Sequence, residues 1–280
     1  MCIVTRFAPS PTGYLHLGHA FSALIALRRA RAAGGHFLLR IEDIDPGRCR
    51  PEYAAAIQED LMWLGVHWDG PVRVQSEHLP DYQAVLDALQ DRGLLYPCFC
   101  TRADIQAEIA ASASAPHTPD GSPQYPGTCR HLPAAQQAAR IAAGERFALR
   151  LDMAAALAAA PAPIWFEEER EGRIACDPAP FGDAVLARKD APASYHLCVT
   201  HDDALHGVTL VTRGTDLKPA THLHRLLQAL MGWPTPRYAH HQLLTDATGR
   251  RLAKRDKAAT LRELRASGAS PAQVRAMAEV

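Results

Sequence analysis

Two histidines three residues apart, His16 and His19, with Arg6 ahead of them, are the first groups in this chain whose types and spacing could do chemistry. They stand in the stretch RFAPSPTGYLHLGH, Arg6 to His19. Pro9, Pro11 and Gly13 make a turn, and a helix begins just beyond it. Backbone N–H groups, two imidazoles and a guanidinium therefore converge on one point, which suits an anion. Gly18, between the histidines, leaves room for a flat ring against the backbone. Imidazoles placed there can donate to a phosphate group as charge develops on it. A shared metal ion is the alternative, since histidines at i and i+3 can face one ion, and an ordinary polar helix start is the blander one.

Four other sets of residues could do chemistry. Glu42 and Asp45 follow an apolar run that reads as a strand, and ligand sites in parallel sheets lie beyond strand C-termini; for Glu42 the alternative is a structural or capping carboxylate. Arg213-Gly214-Thr215-Asp216 stands at the end of a second strand-like run, Val208 to Val211. Cys98, Cys100 and Cys129 supply three thiolates. Cys98 and Cys100 stand too close in sequence for an easy disulfide, so a metal staple is expected over free thiols. Spacing alone leaves the fourth ligand open among His117, Tyr125 and His131, histidine being the ordinary choice. Lys254, in the basic stretch TGRRLAKR, is either a solvated lysine or a point charge that closes over phosphates.

The elements that position these groups follow from periodicity. Cys2 to Phe7 reads as a strand, Leu15 to Ala33 as a helix stopped by Gly34-Gly35, and His36 to Ile41 as a buried strand. That is a βαβ unit and implies a parallel sheet. Helices are expected over Pro51 to Leu64 and Leu79 to Arg92. The segment from Tyr96 to Cys129, rich in small and polar residues, reads as an insertion. Leu132 to Ala160 is alanine-rich and helical in part, and Pro161 to Val185 holds strand-like pieces. Strands are then expected at Tyr195 to Thr200 and Val208 to Val211, a helix at Pro219 to Met231, an extended segment at Tyr238 to Leu244, and helices near Thr260 and from Pro271. The expected division is 1–95 and 195–240 for the two halves of a catalytic domain, 96–194 for the insertion, and 241–280 for a basic loop and helical tail.

The chain has 280 residues with 30 acidic and 30 basic, so net charge selects no partner. Seven cysteines, no basic-then-apolar leader and no long apolar run point to a reducing cytoplasm and away from a membrane.

RFAPSPTG-x-LH-x-GH resembles the signature of class I aminoacyl-tRNA synthetases that activate glutamate. Further likenesses follow in family order: Arg40 to Asp45 (RIEDID), Gly182-Asp183, Tyr195, Asp202-Asp203, Arg213-Gly214-x-Asp216, and, loosely, Arg251-Leu252-Ala253-Lys254. The last departs from the family's lysine loop at Arg251 and Ala253. The resemblance implies a Rossmann-like α/β fold with a parallel sheet and an inserted zinc-bearing, acceptor-binding region. It places His16, Gly18, His19 and Lys254 on ATP, with His16, His19 and Lys254 catalytic and Mg2+ accompanying ATP. It places Arg6, Phe7, Ala8, Pro9, Ser10, Glu42, Tyr195 and Arg213 around L-glutamate. Ser10 and Thr12 stand where glutamine enzymes of the group carry other residues, which favours glutamate. A branch of the family uses C-x-C…Y-x-x-x-C for one structural zinc, implying Cys98, Cys100, Tyr125 and Cys129, with His131 as runner-up. The chain stops soon after Lys254, so no anticodon-binding domain is expected. It thereby resembles that short branch, whose members attach glutamate to queuosine in the anticodon of tRNA(Asp), and it is expected to act as a monomer. The rival expectations are a truncated glutamyl-tRNA synthetase charging tRNA(Glu) and a non-catalytic paralog that binds glutamate or RNA.

Overall fold

The computed structural model describes residues 2–111, 117–119, 121, 123–244 and 259–278. The chain runs β1 (Val4–Phe7), α1 (Leu17–Ala32), β2 (His36–Ile41), α2 (Pro51–Trp63), β3 (Arg73–Val74), α3 (Leu79–Asp91), β4 (Leu95–Cys98) and α4 (Arg102–Ala111). It continues α5 (Ala134–Ala142), β5 (Ala148–Leu151), α6 (Met153–Ala159), β6 (Trp165–Glu168), β7 (Gly172–Ala175) and β8 (Val185–Ala187). It ends α7 (Tyr195–Leu205), β9 (Leu210–Gly214), α8 (Ala220–Met231), β10 (Arg237–His241), α9 (Leu261–Ala266) and α10 (Pro271–Ala278).

The βαβ start forms as its sequence dictates. β1 and β2 pair in parallel, Val4 opposite His36 through Phe7 opposite Leu39. The crossover needs a glycine at its end: a Cβ on Gly35 would stand 1.9 Å from the Ile3 carbonyl oxygen. β3 continues this sheet in parallel beside β2. β9, β10 and β6 form a second parallel run, closed by antiparallel β7. The two runs meet where Thr209 N–H donates to Val4 O at 3.0 Å and Val4 N–H to Thr209 Oγ1 at 2.9 Å. Strand C-termini from both halves therefore open on one side, the expected place for a ligand.

Two large apolar cores flank the strands. One joins α1, α2 and β2 to Leu261, Val274 and Ala278 of the C-terminal helices. The other packs α3, α6, α7 and α8 against the antiparallel sheet β4–β5–β8. Among the described residues, no helix is long and apolar enough to cross a membrane.

Two expectations are corrected. Tyr195 to Thr200 is the start of helix α7, not a strand. Ser194 caps it, its hydroxyl accepting from Leu197 N–H at 3.4 Å. Trp165 to Ala175, inside the span read as an insertion, joins β9 and β10 as β6 and β7, whereas β4, β5 and β8 form the separate antiparallel sheet.

Candidate active site

A cleft of about 540 Å³ lies at the C-terminal ends of β1, β2 and β9. Its lining includes Arg6 to Ser10, His16, Gly18, His19, Glu42, Tyr195 and Arg213. Every described residue expected to meet ATP or glutamate thus faces one cavity. Lys254 falls outside the described residues.

The histidines do two jobs at the start of α1. His16 is the N-cap, and its Nδ1 accepts from Gly18 N–H at 3.1 Å. His19 Nδ1 accepts from His16 N–H at 3.2 Å, closing a reciprocal cap. Both Nδ1 atoms act as acceptors, so in the neutral rings the proton sits on Nε2. Backbone geometry thereby fixes the tautomer that carries an Nε2–H donor. The two rings lie 3.8 Å apart between centroids.

The carboxylate-binding side is built from buried charge. Arg213 Nε donates to His240 Nε2 at 3.3 Å, its Nη1 meets His224 Nδ1 at 3.2 Å, and its Nη2 donates to Thr221 Oγ1 at 2.7 Å. All three partners are uncharged. Burial and the adjacent Arg213 hold the His224 imidazole well below its ordinary value and bring His240 down to about 4. Among the described residues no carboxylate pairs with Arg213. Arg6 differs: its Nε donates to Asp203 Oδ1 at 2.9 Å and its Nη1 to Thr212 O at 3.3 Å. Glu42 accepts from Arg40 Nη2 at 3.0 Å, and its N–H donates to Pro9 O at 3.0 Å, which ties the β2 end to the β1 loop. Burial pushes the Glu42 carboxyl above its ordinary value against the pull of Arg40 and Arg6. Burial likewise raises the Tyr195 phenol, which stays neutral. Arg6, Asp203, Arg40 and Glu42 cancel in sign; Asp216 also lines the cleft, and among the described residues Arg213 has no carboxylate in hydrogen-bond contact. Such a cleft suits a ligand with one ammonium and two carboxylates.

Arg40 and Asp203, motif positions without an assigned role, and His224 and His240, which no motif contains, complete the site. Arg40 carried a signal, since a charge inside an apolar strand run demands a buried partner. The partner, Asp203, is 163 positions away.

The thiols also converge. Sγ atoms of Cys98, Cys100 and Cys129 lie within 4.8 Å of one another. Tyr125 OH stands 3.5 Å from Cys100 Sγ and accepts from Cys129 N–H at 2.8 Å. Burial pushes the Cys100 thiol up to about 11. Burial acts the same way on Cys129, but donors from Tyr125 and the Phe99 N–H bring that thiol below its ordinary value. His131 is exposed and its Nε2 accepts from Arg130 Nε at 3.5 Å, while exposed His117 bridges to Pro123. Three clustered sulfurs with a phenol oxygen beside them fit a tetrahedral zinc.

The sequence model of the family described as tRNA synthetases class I (E and Q), catalytic domain, matches residues 2–277. A protein of Rhodobacter capsulatus called glutamyl-Q tRNA(Asp) synthetase is 51% identical over 281 residues, 98% of either chain. One of the same name from Nocardia farcinica is 44% identical, covering 97% of this chain and 82% of its own. A glutamate–tRNA ligase of Aquifex aeolicus is 38% identical over 96% of this chain and 55% of its own. Among solved structures, a glutamate tRNA ligase of Elizabethkingia meningosepticum in complex with its amino acid aligns with a TM-score of 0.75 and 29% identity. The alignment covers 91% of this chain and 52% of that one, so the chain spans about half its length.

Proposed function

This chain belongs to the class I tRNA synthetases of the glutamate and glutamine group, and on that premise we propose that it activates L-glutamate with ATP and passes it to queuosine in the anticodon of tRNA(Asp). The observation that carries the amino-acid choice is Arg213, a cation with no carboxylate in hydrogen-bond contact among the described residues. Glutamate has net charge −1 and would compensate it; glutamine would not.

Arg213 and Tyr195 hold one carboxylate of the substrate, Arg6 orients the other end, and Glu42 accepts from the α-ammonium. The α-carboxylate oxygen attacks the α-phosphorus of ATP, and the bond to the pyrophosphate oxygen breaks. Mg2+ carried with ATP would screen the phosphate charge. His16 and His19 offer Nε2–H donors to the oxygens on which charge grows. Lys254 is assigned to the leaving pyrophosphate. A hydroxyl of the acceptor nucleoside then displaces AMP from the adenylate. Catalysis here is positioning and electrostatics, without a covalent enzyme intermediate. Cys98, Cys100, Tyr125 and Cys129 would hold one zinc, which staples the β4–β5–β8 layer and stays out of the chemistry.

The acceptor rests on the names of the relatives, four of which are called glutamyl-Q tRNA(Asp) synthetases at 43–51% identity. The test is glutamate transfer to tRNA(Asp) with and without queuosine, each lacking its 3′-terminal adenosine. Labelling of the queuosine-containing tRNA alone is expected. Labelling of tRNA(Glu), and only when its 3′ adenosine is intact, would instead assign an ordinary glutamate–tRNA ligase.

A further inference from the structure

Behind the cleft, four buried charges alternate in sign. Arg6 Nε donates to Asp203 Oδ1 at 2.9 Å, and Arg40 Nη1 donates to the same oxygen at 2.8 Å. Arg40 Nη2 and Nε then donate to Glu42 Oε1 at 3.0 and 3.3 Å. The two ends of this chain, Arg6 and Glu42, line the cleft. The two middle members, Asp203 and Arg40, lie behind it, with Arg40 1% exposed.

We propose that Asp203 is the positioning residue of the amino-acid pocket: one carboxylate oxygen sets Arg6 directly and Glu42 through Arg40, and so fixes the spacing between the cation and the anion that grip the substrate. This rests on the reading of the cleft as a glutamate site. Arg6 is a long side chain with many rotamers, and a single orientation must be imposed on it. A buried carboxylate shared by two guanidinium groups imposes it, because leaving either charge unpaired in that environment is costly. Burial works to raise the Asp203 carboxyl, but Arg6 and Arg40 hold it below the ordinary carboxylate range, so it remains an acceptor for both.

The arrangement also joins three elements in one register. Arg6 ends β1, Arg40 and Glu42 end β2, and Asp203 lies about two turns along the helix that opens with Tyr195. One carboxylate on α7 thereby aligns the two strand ends with the phenol that completes the pocket. The neighbouring acid is set differently. Asp202 is fully buried and lies 3.8 Å from Arg40 Nε, but it accepts hydrogen bonds from Arg73 Nε, Gln75 Nε2 and Tyr82 OH, each at 2.9 Å, and meets His201 Nδ1 at 3.1 Å; none of these four lines the cleft. Asp202 is therefore a buried control of the same charge, whose hydrogen bonds fasten β3 and α3 and not Arg6 or Arg40.

The test measures ATP–pyrophosphate exchange and thermal melting for the wild-type chain, Asp203→Asn and Asp202→Asn. Wild-type exchange that depends on glutamate is the premise; its absence would sink the reading of the site, not the positioning role. Given that exchange, Asp203→Asn is expected to raise KM for glutamate by about 10- to 100-fold with KM for ATP changed less than about threefold. Asp202→Asn is expected to lower the melting temperature with KM for glutamate within about threefold of wild type. Equal KM shifts in both variants, or an unshifted KM in Asp203→Asn, would overturn the proposal. Should Asp203→Asn not fold, the wild-type protein crystallised with glutamate decides. Asp203 must still hold both arginines while Arg6 and Glu42 touch the substrate, and release of either arginine overturns the role.

Discussion

Arg213 differs from the other cleft arginine in what surrounds it. Arg6 is matched by Asp203, whereas Arg213 is enclosed by His224, His240 and Thr221, all neutral. Replacing Arg213 with Gln removes this charge, and with it a charge-assisted contact to the substrate. KM for glutamate is expected to rise about 100-fold in the exchange assay, and the preference for glutamate over glutamine to shrink. An unchanged preference would remove Arg213 from substrate selection. The histidines add a pH dependence whose sign follows from linkage. His240 titrates at about 4 in the folded chain, below its ordinary 6.5. Between those values the unfolded chain binds a proton that the folded chain refuses, so stability falls as pH drops through the window and this contribution levels off below it. His240→Gln removes that component, so its melting temperature should fall less steeply than wild type's between pH 6.5 and 4. Parallel melting curves for the two would show that His240 does not titrate in this range.

At the level of elements, the outer end of the antiparallel sheet β4–β5–β8 carries a small cluster in which the thiols Cys98 and Cys129 pack with Tyr96, Phe99 and Tyr125. Zinc held by the sulfurs should add stability to that cluster. The purified protein is expected to carry one zinc per chain by elemental analysis and to melt lower after chelation. Cys100→Ser should lose the metal, and Tyr125→Phe should weaken its retention. A chelated protein that melts unchanged would show the thiols to be structural without an ion. This layer was also the least legible part of the sequence. Leu132 to Ala160 reads as alanine-rich and helical in part, as α5 and α6 are, but strand β5 between them goes unseen, because alanine frequency masks the short alternation Ala148-Leu149-Arg150-Leu151. Tyr195 to Thr200 misled for the opposite reason. Tyr, Cys, Val and Thr favour strands in a short window, but Ser194 caps a helix there and tertiary packing overrides the propensity. α1, α2, α3 and α8 were legible because their apolar period is long and a glycine stops each. The cleft residues were legible as motifs; of their buried partners, Arg40 and Asp203 stood in those motifs without a role, and His224 and His240 stood in none. Pairings such as Arg6 with Asp203 join positions 197 apart, and no local pattern encodes them.

On the scale of the whole molecule, the C-terminal helices return to the start of the chain. Leu261 N–H donates to Leu15 O at 2.8 Å, and Thr260 bridges to His16. Arg275 donates to Leu64 O at 2.6 Å and Gly65 O at 2.7 Å, which satisfies carbonyls at the end of α2. Leu243 and Leu244 line the cleft on the other side. Leu244 thus lines the cleft, and Thr260 meets His16, which also lines it. Arg275→Ala should loosen the hold of the C-terminal helices on α2, costing about 1–3 kcal/mol of stability and lowering kcat with KM for glutamate unchanged. Intact kcat in a destabilised Arg275→Ala protein would separate the tail from catalysis. Asp60, in the same contact, works against stability. It is 1% exposed, neither carboxylate oxygen has a hydrogen-bond partner among the described residues, and Arg262 Nε stands 3.8 Å away. Burial raises its carboxyl to about 6 from an ordinary 3.8, so the folded chain takes up a proton that the unfolded chain does not bind between those values. The ionised form therefore lowers stability above pH 6, and that loss fades as pH falls toward 3.8. Asp60→Asn should raise the melting temperature near neutral pH by about 2–6 °C, with the gain vanishing near pH 4. A variant that melts lower than wild type at neutral pH would mean that the Arg262 attraction outweighs the cost of burying the charge. The tail would then be held to α2 by that ion pair instead of by Leu261, Val274 and Ala278.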